Sequence, residues 1–136
     1  NSLHAPEYIF QGPFSGQYLE TAVYTEILKG FFSKGKIPRI YWWRTSNGEE
    51  VDFIIEADGN LIPVEVKLSG TPNPEMARGI LMFKKLFKNE AGRGLLINLS
   101  GEVTEIADNV ISVPFAEFVN NEKYIWGSGR LLAKKR

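Results

Sequence analysis

The sequence predicts an α/β domain, and three observations carry that expectation. Residues 16–34 place Leu19, Ala22, Val23, Ile27 and Phe31 on one broad face at helical spacing. Strand-like runs follow at 39–45, 50–57 and 61–68, the last two joined by Asp58-Gly59-Asn60, a strong hairpin signal. A second helical pattern after Asn73 then leads into Leu95–Leu99, a continuous apolar run that reads as a buried parallel strand. Strand, helix and strand in that order make a crossover returning beside the 61–68 strand. The expected architecture is a mixed sheet of four to five strands, an antiparallel meander joined to a parallel strand through a βαβ crossover, flanked by helices on both faces.

In chain order, residues 1–14 hold Pro6, Gly12 and Pro13 and predict an extended arm. Ser15 is the expected N-cap of the first helix. Glu20 and Glu26 fall inside its apolar arc, where carboxylates need a partner, whereas Lys29 and Lys34 fall outside it. Gly35 and Pro38 end the helix. In the first strand, Tyr41, Trp42, Trp43 and Arg44 are residue types that stack on bases, although alternate aromatics more commonly pack on the two faces of a sheet. Asn73 is the expected cap of the second helix, with Pro74 at its first position and Met76, Ile80, Phe83 and Phe87 as its core stripe. Lys84, Lys85 and Lys88 share an outer face and are the best local candidates for phosphate contacts, a solvated surface being the commoner meaning of such a run. Val103–Ile106 and Val110–Val113 read as short edge strands, and Pro114 starts a short helix containing Phe115 and Phe118. The domain is expected over 15–120, with 121–136 a loose, basic tail.

Composition narrows the chemistry. At 136 residues the chain is one domain, long enough to bury roughly two-thirds of its unfolded surface. No apolar run approaches the ~18 residues of a membrane span. The absence of cysteine excludes disulfides and thiolate metal sites and fits a reducing cytoplasm. A single histidine, His4, argues against zinc and against Ser-His or Cys-His catalysis. Sixteen basic residues balance sixteen acidic ones, whereas autonomous DNA-binding domains usually carry a basic excess. Two decoys are set aside. Gly30-x4-Gly35-Lys36 lacks the hydroxyl residue of a P-loop and follows a helix rather than a strand, so no ATP site is expected; Asn98-Leu99-Ser100 lies in a strand expected to be buried.

The chemistry concentrates in the hairpin. Asp52 sits on one strand and Glu65 and Lys67 on its antiparallel neighbour, pointing the same way while Val64, Val66 and Leu68 point the other. Carboxylates converging across a hairpin are hard oxygen ligands suited to Mg²⁺ or Mn²⁺. With a lysine beside them they suit metal-assisted phosphodiester hydrolysis. The plain alternative is a salt bridge between Lys67 and Asp52 or Glu65.

Four blocks stand in order: Gly16-x-x-x-Glu20, Tyr41-Trp-Trp-Arg44-Thr-Ser-Asn-Gly48, Glu50-Val-Asp52 and Val64-Glu65-Val-Lys67. In this the chain resembles the PD-(D/E)xK nuclease superfamily and, more narrowly, the DUF4143-type C-terminal domain of bacterial and archaeal AAA+ ATPases. The resemblance runs from Gly16 through Leu68 and implies a restriction-endonuclease-like core. It implies Asp52, Glu65 and the Val66 carbonyl as ligands of Mg²⁺ or Mn²⁺, Glu20 as a third carboxylate and Lys67 as the residue that positions the attacking water. Glu26 matches a second family glutamate, with an ion pair to Arg44 or Lys67 as its other reading. The implied partners are an N-terminal ATPase module, nucleic acid and, since such nucleases are often dimeric, a second copy joined through a sheet edge. The alternative function is a catalytically inactive module that docks nucleic acid or protein onto the ATPase. The opening at Asn1 and the lack of an ATPase region lead us to expect an excised domain.

Overall fold

The computed structural model describes residues 12–127 and the backbone of residues 134–135. The extended arm expected over 1–14 lies outside these residues except at 12–14, as does His4. Helix α1 spans Ser15–Ser33. Its residues Leu19, Val23, Ile27 and Phe31, one turn apart, are fully buried, so the predicted stripe is the packed face. Ser15 is the first helical residue and not the cap; Phe14 holds the cap position with no side-chain bond. The helix ends at Gly35, whose φ of 66° is the left-handed conformation that stops a helix. The glycines of the P-loop-like string thus belong to a helix and its terminus.

The meander follows as β1 (Ile40–Arg44), β2 (Glu50–Ala57) and β3 (Asn60–Val66). Asp58 and Gly59, with φ of 51° and 80°, make the tight turn between Ala57 and Asn60. The stretch after Asn73 is not one helix. A 3₁₀ turn, Pro74–Ala77, precedes α2, Arg78–Leu86, and Asn73 makes no side-chain capping bond. Next come β4 (Gly94–Asn98), β5 (Thr104–Ala107), β6 (Val110–Pro114), the helical turns α3 (Phe115–Phe118) and α4 (Lys123–Trp126), and β7 (Lys134–Lys135).

The sheet order is β1-β2-β3-β4-β6-β5-β7. Six strands have four residues or more and the seventh has two, so the sheet is wider than the four to five strands expected. The predicted parallel return is present, since β4 pairs parallel with β3. The extra width comes from β6, expected at an edge, which lies between β4 and β5 and pairs parallel with β4 from Gly94↔Val110 to Asn98↔Pro114. All five β6 residues are buried, as an interior strand requires. Asn98, set aside as a glycosylation site, is fully buried too and donates to the Leu96 carbonyl and the Ser112 hydroxyl. Residues 121–127 are not loose, because Tyr124 and Ile125 of α4 join the core.

Helices cover both sheet faces. On one, α1, α3 and α4 pack over Ile55, Ile62, Val64, Leu95, Ile97, Ile111 and Val113. On the other, α2 sets Ile80 beside Leu96 and Val110, and Phe83 beside Val51 and Ile54. Gly79 lets α2 lie directly on β2, since a methyl group there would meet the Glu50 carbonyl. Gly79→Ala is therefore expected to cost about 1–3 kcal/mol, seen as a lower urea midpoint at unchanged slope. An unchanged midpoint would mean that α2 can shift on β2 without loss.

Candidate functional site

The site forms where β2 and β3 stop pairing. Their last Cα partners are Phe53↔Val64, so continuing the register puts Asp52 opposite Glu65 one step further on. There the ladder is replaced by two reciprocal bonds. The Asp52 amide donates to Glu65 Oε1 at 3.1 Å, and the Val66 amide donates to Asp52 Oδ2 at 2.8 Å. Each carboxylate thus holds the other's strand and keeps one further oxygen. The register of β1 on β2 also shifts here, from Tyr41↔Ile54 to Trp43↔Val51. Two β2 residues, Asp52 and Phe53, consequently face Trp42 alone, which is a β-bulge, and bulges re-aim side chains.

Phe53 packs toward the α1 side, and the Asp52 carboxyl lies close enough to the Glu20 carboxyl of α1 for the charge of one to resist ionisation of the other. Glu65 is 8% exposed, and Lys67 Nζ sits 3.3 Å from its Oε2. Asp52 is the centre of the group: its amide bonds Glu65, and its carboxyl feels the Lys67 ammonium and raises the neighbouring Glu20.

Burial and like charge act together on these carboxyls. Burial and then the Asp52 charge push Glu65 up to about 7, against the opposing pull of Lys67. Asp52 is raised by burial, with the Val66 amide and Lys67 opposing. Glu20 is raised by burial and then by Asp52. Three carboxyls here share one ammonium, that of Lys67, and resist ionisation despite it; a cation would supply further countercharge. Among the described residues, no group of three Asp, Glu or His side chains is arranged to hold a metal ion. Asp52 and Glu65 still fit one, because Mg²⁺ is commonly held by one or two carboxylates and completes its shell with water and substrate oxygens.

The other predicted residues are elsewhere or otherwise engaged. Glu26 lies further along α1, accepting from the Asn120 amide at 3.1 Å and from Lys29 at 3.2 Å; it pairs with neither Arg44 nor Lys67. Arg44 bonds Glu50 at 3.0 Å across the β1–β2 pair. Lys84 is tied to the carbonyls of Gly92 and Asn109 at 3.1 and 3.0 Å, which makes it a brace between loops. Lys85 and Lys88 remain exposed. Sequence reasoning missed Glu50, whose charge raises both Asp52 and Glu20; its place two residues before Asp52 was the signal.

A family model described as a domain of unknown function, DUF4143, matches residues 15–118. No curated protein and no solved structure matches the chain. No helix among the described residues is long and apolar enough to cross a membrane.

Proposed function

The chain belongs to the DUF4143 family, and from that premise we propose that it is a PD-(D/E)xK nuclease-like domain that hydrolyses phosphodiesters with Mg²⁺ or Mn²⁺. The observation that carries this reading is the Asp52–Glu65 pair, locked across the end of a hairpin with Lys67 beside it. Asp52, Glu65 and the Val66 carbonyl would hold the cation, with Glu20 approaching through Asp52. When bound, the cation supplies Lewis-acid polarisation of the phosphodiester and neutralises developing charge.

The protein's own part is positional. The reciprocal amide bonds hold both carboxylates at fixed separation, so little order is lost on binding. Lys67 is paired with Glu65; were Glu65 to hold a cation, the ammonium would be available to orient water or to meet phosphate oxygen. The resemblance to ATPase C-terminal domains makes an N-terminal ATPase module the natural partner and the cytoplasm the natural location.

The test is calorimetry of Mn²⁺ binding together with cleavage of labelled oligonucleotides, wild type against Asp52→Ala. Binding and cleavage that both vanish in the folded variant support the reading. A folded wild type that binds no Mn²⁺ rejects it. The Lys67–Glu65 ion pair favours a second reading, a docking module in which these residues only organise the hairpin. In that case Asp52→Ala and Lys67→Ala would lower stability and leave the function of an attached ATPase intact.

A further inference from the structure

The geometry points to Trp42 as a stacking platform for an unpaired nucleobase, making the substrate of the carboxylate site single-stranded nucleic acid. The inference rests on the hydrolytic reading for its location, but not for its evidence of binding. Trp42 is the β1 residue that faces the bulge carrying Asp52 and Phe53. Its neighbours Tyr41 and Trp43 turn to the α2 side, where Tyr41 bonds Glu56 and Trp43 meets Phe83 edge to face with ring centroids 5.4 Å apart. Ile40, two residues before Trp42, packs into the core on the α1 side, so alternation puts Trp42 on that side also. Asp52 and Glu20 approach each other on the same side.

Of these β1 residues, Trp42 alone has no packing partner among the described residues. It is 75% exposed, the most exposed aromatic ring among the described residues. Tyr24 extends the aromatic surface. It stacks obliquely on Phe53 with centroids 5.7 Å apart, remains 40% exposed, and lies one helical turn beyond Glu20. A base resting on Trp42 would leave its phosphate beside the bulge, near Asp52. A base within a duplex offers no free face to an indole, whereas an unpaired one does. The acidic surroundings, Glu20, Glu50, Asp52 and Glu65, would repel a strand unless a divalent cation is present.

The experiment measures binding of short labelled oligothymidylate, oligouridylate and a DNA duplex to the folded chain. Ca²⁺ replaces Mn²⁺ so that the strand is not consumed. Trp42→Ala is expected to weaken single-strand binding by roughly fivefold to a hundredfold and to leave duplex binding unchanged. Trp42→Phe should retain most of the affinity, and the indole fluorescence of the wild type should fall on single-strand binding. Because Trp42 is exposed, the variants should melt as the wild type does. The two single strands decide between DNA and RNA.

Single-strand affinity unchanged in Trp42→Ala, or a wild type that binds no single strand, overturns the proposal. Separate cleavage assays in Mn²⁺ keep the two readings apart. If single-strand binding depends on Trp42 but nothing is cleaved, hydrolysis fails and stacking stands. If cleavage needs Asp52 while single-strand binding and cleavage ignore Trp42, stacking fails and hydrolysis stands.

Discussion

Lys67→Met is expected to leave Mn²⁺ affinity unchanged or higher while slowing phosphodiester cleavage by about a hundredfold to a thousandfold. The two effects separate because Lys67 belongs to the site without being a ligand. Its ammonium neutralises Glu65 at 3.3 Å, and removing it deletes a positive charge that would repel an incoming cation. The side chain is 42% exposed, so methionine opens no cavity in the core, and Glu65, raised already by burial, can take a proton when the ammonium is lost; the fold should survive. Chemistry suffers for the opposite reason. A charge positioned where negative charge develops on phosphate acts most strongly in the transition state, and methionine offers none. Lys67→Arg should fall between the two, since it restores charge with a planar fork in place of a compact ammonium. Calorimetry beside single-turnover cleavage decides the matter. Loss of Mn²⁺ affinity equal to that of Asp52→Ala would make Lys67 an organiser of the carboxylates; unimpaired cleavage would remove it from the chemistry.

The parts of this site that are local in sequence were legible there. Asp58-Gly59-Asn60 identifies the hairpin and puts Asp52 and Glu65 on neighbouring strands; the observed Ala57↔Asn60 pairing, with a two-residue turn, sets them opposite one another. The helix carrying Glu20 announces itself through Leu19, Val23, Ile27 and Phe31. The bulge at Asp52–Phe53 was not legible, because Val51, Phe53 and Ile55 alternate as an unbroken strand would. Only the register of β1 on β2 exposes the extra residue. Trp42 and Trp43 look alike in sequence, and their opposite fates depend on which one faces α2.

Nonlocal packing hid the rest. Val103–Ile106 and Val110–Val113 read as short edge strands, and nothing within them reveals that β4 will take β6 as a parallel neighbour. Lys84 read as one of three outer-face lysines, candidates for phosphate contacts or a solvated face, yet its carbonyl partners at Gly92 and Asn109 lie 8 and 25 residues away. The second helix looked continuous because Pro74 suits a first turn. Sequence periodicity does not separate a 3₁₀ start from an α start when Ala77 and Ile80 are buried either way.

Glu65→Gln is expected to stabilise the metal-free domain near pH 8 by an amount on the order of 2 kcal/mol, while abolishing Mn²⁺ binding. The sign follows from where the proton resides. Unfolded, the Glu65 carboxyl titrates near its ordinary value of 4.5; folded, burial and the neighbouring Asp52 charge push it up to about 7. Between these values the native state binds more protons than the unfolded state, so stability falls as pH rises and levels off above the folded value. Asp52 and Glu20 are raised as well and steepen the decline in the same direction. Glutamine carries no such cost, and its carbonyl can still accept the Asp52 amide that Glu65 Oε1 now accepts. The variant's stability should therefore vary less with pH than the wild type's across 4.5–7. Mn²⁺ should restore the wild type at pH 8 and do nothing for Glu65→Gln. Urea unfolding across this range, with and without Mn²⁺, is the measurement. If Glu65→Gln proves less stable than the wild type at pH 8, the Glu65–Lys67 pair stabilises the fold, and the carboxylates are not a site held at the expense of stability.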